Sequence, residues 1–316
     1  MGNYLLRRLV QVVPTIVGIS ILVFGLMRFL PGDIVSLMVN PDNPMPEDQR
    51  ETLRRMFGLN EPIYVQYLRW VGGIARGDFG VSLRMSTPVT SLLFQRLGVT
   101  VELALLAVAF SALIAVPLGV LAAVRPNGIS ALAAQVLGLV GLSFPSFWIA
   151  TMLLLVSSLY FDWQPELIWI SPFDDPIANA QQMFLPVLSL SLALIAVVMR
   201  MTRSAMLDTL SQDYIRTARA KGHRERIVIW RHAFKNALIP VMTVIGLQIG
   251  GLLGGAVVIE QIFGLPGIGW LILNAIYQRD YPVVQGGVLF VAVGFVLINL
   301  LVDLLYSYVN PRIRYS

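Results

Sequence analysis

Ionisable side chains are sparse in this chain, so the places where they gather mark where chemistry can occur. The densest gathering is Asp213-Tyr214-Ile215-Arg216-Thr217-Ala218-Arg219-Ala220-Lys221-Gly222, set in a cationic segment from Arg200 to Lys235 that holds nine of the 23 Lys and Arg residues. These ten residues offer charge and hydrogen bonds in the pattern of a docking helix. Asp213 is placed to act as an N-cap, its carboxylate accepting from the free amides of the next turn, and Gly222 suits the left-handed residue that closes a helix. The pattern predicts a helix of about eight residues, roughly 12 Å long. Isolated helices that short are marginal in water, so it must be held against flanking helices or another subunit. Tyr214 and Ala218 share a face four residues apart, while Arg216, Arg219 and Lys221 spread over the others.

A second set of candidates lies in and beside apolar runs. Glu102 sits near the outer end of one run, where it either touches cargo or reaches water at a helix end. Glu260, Phe263, Pro266 and Gly267 belong to a stretch rich in glycine and proline, a candidate gate or wall of a translocation path. Gly246, Gly250 and Gly254 recur every four residues, so one helix face lets a neighbour approach closely. That neighbour lies within the bundle or in a second subunit, and we expect the subunit interface.

Several chemistries are excluded. No G-x-x-x-x-G-K-[ST] pattern occurs, so the chain holds no nucleotide of its own, and neither H-E-x-x-H nor G-x-S-x-G is present. The two histidines, His223 and His232, both fall in the cationic segment, and there is no cysteine. Catalytic and metal sites are therefore expected to be none, and the chain is expected not to be an enzyme. The net charge of +5 is concentrated in one loop without interleaved exposed aromatics, which argues against nucleic acid.

Apolar residues make up 56% and charged residues 13% of the chain, with a mean hydropathy of +0.73. An ordinary soluble globule is excluded, and the fold class is an all-α integral membrane protein. Six transmembrane helices are expected: 9–30, 99–124, 129–160 bent near Pro145, a short 183–199, 238–259 and 288–309. Residues 1–30 form the first helix and lack a cleavage site. Residues 31–98 form a long extracytoplasmic region, neutral overall with seven Arg and seven acids, and containing short helices after Pro46 and Pro62. Residues 99–316 form a five-helix core with a loop at 200–236. The acidic stretch from Phe161 to Gln182 contrasts with that basic loop, which places both chain ends in the cytoplasm. The stretch from Glu260 to Gly269 reads as a compact irregular loop.

The ten-residue stretch, followed by Arg231-His232-Ala233 and Asn236-Ala237-Leu238-Ile239-Pro240, resembles the cytoplasmic EAA loop of ABC importer permeases. More narrowly, it is similar to the dipeptide/oligopeptide/nickel branch, with Thr217 where Glu usually opens the motif. Segments Gly58 to Tyr64, Arg76 to Leu83, Glu260 to Gly269 and Arg279 to Gly286 resemble the same branch, so the likeness covers nearly the whole chain. It implies a transmembrane subunit that moves di- or oligopeptides across a prokaryotic cytoplasmic (inner) membrane by alternating access. It implies a coupling role for Asp213, Tyr214, Arg216, Thr217, Ala218, Arg219, Ala220, Lys221 and Gly222, with Tyr214, Ala218 and Gly222 setting the close fit. The implied partners are a second homologous permease, two ATP-binding subunits that carry ATP and Mg, an extracytoplasmic substrate-binding protein and membrane lipid. The alternative is an ion-coupled secondary transporter, which would need ionisable groups near the bilayer midplane; the spans hold almost none, with Asp303 the main exception.

Overall fold

The computed structural model describes residues 2–29, 35, 46–56, 58–166 and 168–309. Pro31, Gly32, Phe57, Arg312 and Arg314, and the side chain of Asp303, lie outside the described residues. The named elements are helices: α1 (Gly2–Phe29), α2 (Glu47–Met56), α3 (Ile63–Ala75), α4 (Val89–Val124), α5 (Ile129–Ser143), α6 (Ser146–Phe161), α7 (Pro176–Leu210) and α8 (Asp213–Ala220). A helical turn at Glu225–Ile227 and a π-helix at Val228–Phe234 lead into α9 (Lys235–Phe263), followed by α10 (Ile268–Tyr277) and α11 (Tyr281–Val309). Among the described residues five helices are long and apolar enough to cross a membrane. Two bent pairs, α5 with α6 and the end of α9 with α10, raise the number to as many as seven.

Several helices outrun their apolar cores, which corrects the expected bounds. The 36 residues of α4 begin ten positions before the expected Val99, directly after Pro88. Leu92 and Leu93 are buried there, so packing carries the helix past Gln95 and Arg96. The expected short span 183–199 is the 35-residue α7. Asp175 caps it by accepting from the backbone N–H groups of Ile177 and Ala178, each at 3.0 Å, with Pro176 at the first helical position, where its missing N–H costs nothing. The expected bend at Pro145 is a break of 102° between α5 and α6. The stretch 260–269 is more ordered than an irregular loop: Glu260 to Phe263 complete α9, and α10 starts at Ile268.

The chain forms two compact units. In residues 99–269 with 297–316, α7 is the central helix and packs against α5, α6 and α9. Close contact with α5 depends on Gly141, where a Cβ would stand 2.6 Å from the Leu192 carbonyl oxygen. The connection into α7 is fastened by two buried amides. Gln182 Nε2 donates to the carbonyls of Glu166 (2.5 Å) and Ile168 (2.9 Å), its Oε1 accepts from Ile170 N (3.1 Å), and Asn179 Nδ2 donates to Ile170 O (2.8 Å). Backbone groups that no helix satisfies are thus satisfied by side chains.

In residues 1–98 with 270–296, Phe24 of α1 meets Tyr67 and Trp70 of α3 with centroids 5.5 and 5.7 Å apart. Ser20 Oγ lies 2.8 Å from Tyr67 Oη. As expected, α2 and α3 begin after Pro46 and Pro62, and Gly58 takes a positive φ of 64°.

The three glycines spaced by four have different surroundings. At Gly246 a Cβ would lie 2.2 Å from Val302 Cγ1 of α11, so this close approach is internal, which corrects the expected subunit interface for that residue. Gly250 is buried, whereas Gly254 is exposed with open space around it. Gly246→Leu is accordingly expected to destabilise the folded chain by about 1–3 kcal/mol through overpacking, while Gly254→Ala leaves it unchanged. Thermal unfolding of the purified variants, followed by loss of the monodisperse peak in detergent, checks both.

Candidate functional site: a two-faced helix and a buried glutamate

Eight residues form α8, the length expected, but its start differs. Gln212 is the N-cap and Asp213 is the first helical residue, so Asp213 makes no side-chain cap bond. Its carboxylate instead lies 3.6 Å from Arg216, in the first turn, where negative charge complements the helix dipole. The C-terminus is as expected: Gly222 has φ +79°. Gly222 N donates to Arg219 O (2.9 Å) and His223 N to Ala218 O (3.4 Å), the paired bonds of a Schellman cap.

Burial sorts the faces of α8. Ile215 is fully buried and Ala218 is 7% exposed, both in the apolar cluster of Met206, Val228, Ala233 and Ala237. Ala218 therefore faces its own chain, whereas Tyr214 and Gly222, expected to set the close fit with it, are exposed. The outward residues are Asp213, Tyr214, Arg216, Thr217, Arg219, Ala220, Lys221 and Gly222. Tyr214 Oη accepts from Asn236 Nδ2 at 2.9 Å, and the same amide donates to His232 O at 3.0 Å. Arg219 grips Glu225 with two bonds of 3.2 and 2.7 Å, which holds the guanidinium still more firmly protonated. Both side chains are exposed, so the pair orients the loop more than it stabilises it.

Glu260, on the last turn of α9, has no exposed surface. Thr100 of α4 donates to Glu260 Oε1 at 2.6 Å, and Thr100 Oγ1 accepts from Ile268 N at 2.9 Å. Two glycines make room for the carboxylate. A Cβ on Gly267 would lie 2.2 Å from Glu260 Cδ, and one on Gly269 would lie 2.9 Å from Glu260 Oε2. Gly264, at φ +64°, ends α9, and Leu265 N returns to Glu260 O at 2.9 Å. Phe263, Leu265 and Ile268 are buried around this turn. Of the expected path residues, Glu260, Phe263, Pro266 and Gly267 share the turn. Glu102 lies two residues beyond Thr100, hence on another side of α4, half-buried beside Asn179 and Trp169.

Two residues outside the candidate set organise their surroundings. Thr100 links three elements, and a lone threonine in an apolar run gives no sequence signal for that. Asp280 is 3% exposed and accepts from Ser82 Oγ (2.5 Å), Leu83 N (3.2 Å) and Arg84 N (3.4 Å). It thereby joins two stretches, 76–83 and 279–286, that each carry the family resemblance. Ser82 N also donates to Thr87 O at 2.9 Å, closing the turn beside the Val81 and Pro88 bridge.

Residues 115–315 match the family described as "Binding-protein-dependent transport system inner membrane component", and residues 1–104 match its N-terminal component. The chain belongs to this family. It is 41% identical over 342 residues to the "Dipeptide transport system permease protein DppB" of Escherichia coli K12, covering 100% of both chains. It is 41% identical over 318 residues to the "Oligopeptide transport system permease protein AppB" of Bacillus subtilis, again over 100% of both. A "Putative peptide transport system permease protein" of Brucella abortus is 42% identical over 316 residues and 100% of both chains. The chain is thus a permease of the dipeptide and oligopeptide branch of ABC importers, a class of subunit that is not itself an enzyme.

Removing the Thr100 hydroxyl takes away one hydrogen bond to the buried Glu260 carboxylate and the acceptor of Ile268 N. Thr100→Val is expected to lower stability by about 1–3 kcal/mol, and Gly267→Ala by more, because its Cβ would meet an immobile carboxyl. Thr100→Ser, which keeps the hydroxyl, restores most of the loss in a detergent thermal-shift series.

Proposed function

We propose that this permease moves di- or oligopeptides across a prokaryotic cytoplasmic membrane by alternating access, driven by ATP hydrolysed with Mg on two partner subunits. It pairs with a second homologous permease, receives cargo from an extracytoplasmic substrate-binding protein, and crosses the bilayer six times with both ends in the cytoplasm. The carrying observation is the two-sided character of α8. One face, Ile215 and Ala218, is locked into the helical core, and the other presents Tyr214, Arg216, Thr217 and Lys221 to solvent. A helix so anchored transmits force: displacement of its outer face by an ATP-binding subunit moves the core residues with it. A ligand shifts a conformational equilibrium only by what it binds differently in each state, and the outer face of α8 is the surface that can differ.

The Gly254 side of α9, with open space around it, suits the second permease. The turn holding Glu260, Phe263, Pro266 and Gly267 suits a gate, since its few hydrogen bonds join α4 to α9 and must be kept or exchanged as a unit. Peptide cargo rests on the full-length likeness to permeases named for dipeptides and oligopeptides.

The side chain of Arg216 is 76% exposed, which makes it the cleaner coupling probe. Arg216→Glu is expected to leave insertion and stability unchanged and to reduce substrate-stimulated ATP hydrolysis of the complex by about 5- to 150-fold, the range of an allosteric coupling energy. Ala218→Glu places a carboxylate in an apolar cluster, so it is expected to loosen α8 as well as uncouple it. Mild-detergent purification of the tagged chain, with subunit identification, decides the composition: a second permease and two ATP-binding subunits are expected. A chain that purifies alone and transports on an ion gradient overturns the reading.

A further inference from the structure

The segment between α8 and α9 presents a face that the coupling role does not use. Its π-helical turns run unbroken into α9. Val228 and Ala233 are buried and fix one side. On the other, Ile227 and Trp230 are 39% and 47% exposed, and Trp230 stands edge-on to Phe234 at 5.2 Å. Exposed Arg224, Arg226, Arg231 and Lys235 surround these side chains. The one acid between 219 and 235, Glu225, is occupied by Arg219 at 2.7 Å, so it does not offset the four cations. Cations and an indole on one apolar strip are the composition of an interfacial anchor.

Position decides what covers it. The apolar span here runs from Glu225 to Leu252, so the rings and cations occupy the first turns of a membrane-crossing helix. Indole rings settle at the headgroup level, and Arg and Lys there meet the negative charge of acidic lipids. Along the π-helix Trp230 stays outward while Val228 and Ala233 are held in the core with Phe234 packed beside them.

We propose that Ile227 and Trp230, with Arg224, Arg226, Arg231 and Lys235, form a binding surface for anionic phospholipid headgroups, while Phe234 backs Trp230 from the core side. The surface holds the start of α9 at the leaflet and so sets the height at which α8 is presented. That consequence alone rests on the coupling reading of α8; lipid binding does not. Phosphate oxygens accept from the guanidinium and ammonium groups, the indole N–H donates to glycerol or carbonyl oxygens, and Ile227 and the Trp230 ring enter the acyl boundary.

The test uses the full chain in nanodiscs of phosphatidylcholine, or of phosphatidylcholine with phosphatidylglycerol, prepared with and without brominated acyl chains. Emission from Trp230, obtained as the difference between wild type and Trp230→Phe, is expected to be quenched by the brominated lipid. Phosphatidylglycerol retained by the purified chain is expected to fall at least about tenfold in Arg226→Gln/Arg231→Gln/Lys235→Gln, each cation near an anionic surface being worth roughly fivefold. Arg226→Lys/Arg231→Lys, which keeps the charge, is expected to retain it. Unquenched Trp230 emission, or equal phosphatidylglycerol retention in all variants, overturns the proposal. So does quenching that disappears when purified ATP-binding subunits are added, which assigns the surface to that protein instead. None of these readouts depends on transport, so coupling can fail independently.

Discussion

Backbone groups buried away from water must be paired within the chain, so where a helix is interrupted its free groups are taken up by side chains. This constraint explains where the polar side chains are. Asp175 satisfies the first amides of α7. Gln182 and Asn179 take up the carbonyls and the amide of the strand-less connection before it. Thr100 accepts from the start of α10 and donates to Glu260. Asp280 gathers the turn at 82–84. Each is nearly buried or capping, and each spends its hydrogen bonds where the helical ladder stops.

The same constraint separates structural from functional polarity. Glu260 and Asp280 are acids with almost no exposed surface, yet both are enclosed by donors and close-fitting neighbours, so they are parts of joints. The outward face of α8 is different: Arg216, Thr217 and Lys221 have no such enclosure. The charge of Arg216 and Lys221 is left in water on a helix whose other face is locked into the core. The strip led by Trp230 extends this outward polarity toward the membrane surface, joining the level of the leaflet to the position of α8.

Close packing relies on the absence of side chains at a few points. Gly141 admits the backbone of α7, Gly246 admits Val302, and Gly267 and Gly269 admit the Glu260 carboxyl. The glycine repeat on α9 therefore does more than one thing, with Gly246 turned to α11 and Gly254 open. A repeat with a single period carries no information about which neighbour each member meets.

Read alone, the sequence determined the membrane class, the location of α8, its eight-residue length and its glycine cap, and the branch of permeases to which the chain belongs. These depend on composition, local spacing and short ordered motifs, all of which are local along the chain. The extents of α4 and α7, the inward turn of Ala218, the internal contact of Gly246 and the joint made by Thr100 were decided only by tertiary structure. Helix ends follow capping and packing as well as hydropathy, so Asp175 with Pro176 extended α7 where polarity alone had ended it. A helix of eight residues exposes or buries a given face according to what lies beneath it, and for α8 that is a cluster that draws on Ala115 and Val120 of α4 and Ala131 of α5 as well as Met206, Val228, Ala233 and Ala237. Contacts of that kind are set by the meeting of distant segments, which no local pattern encodes.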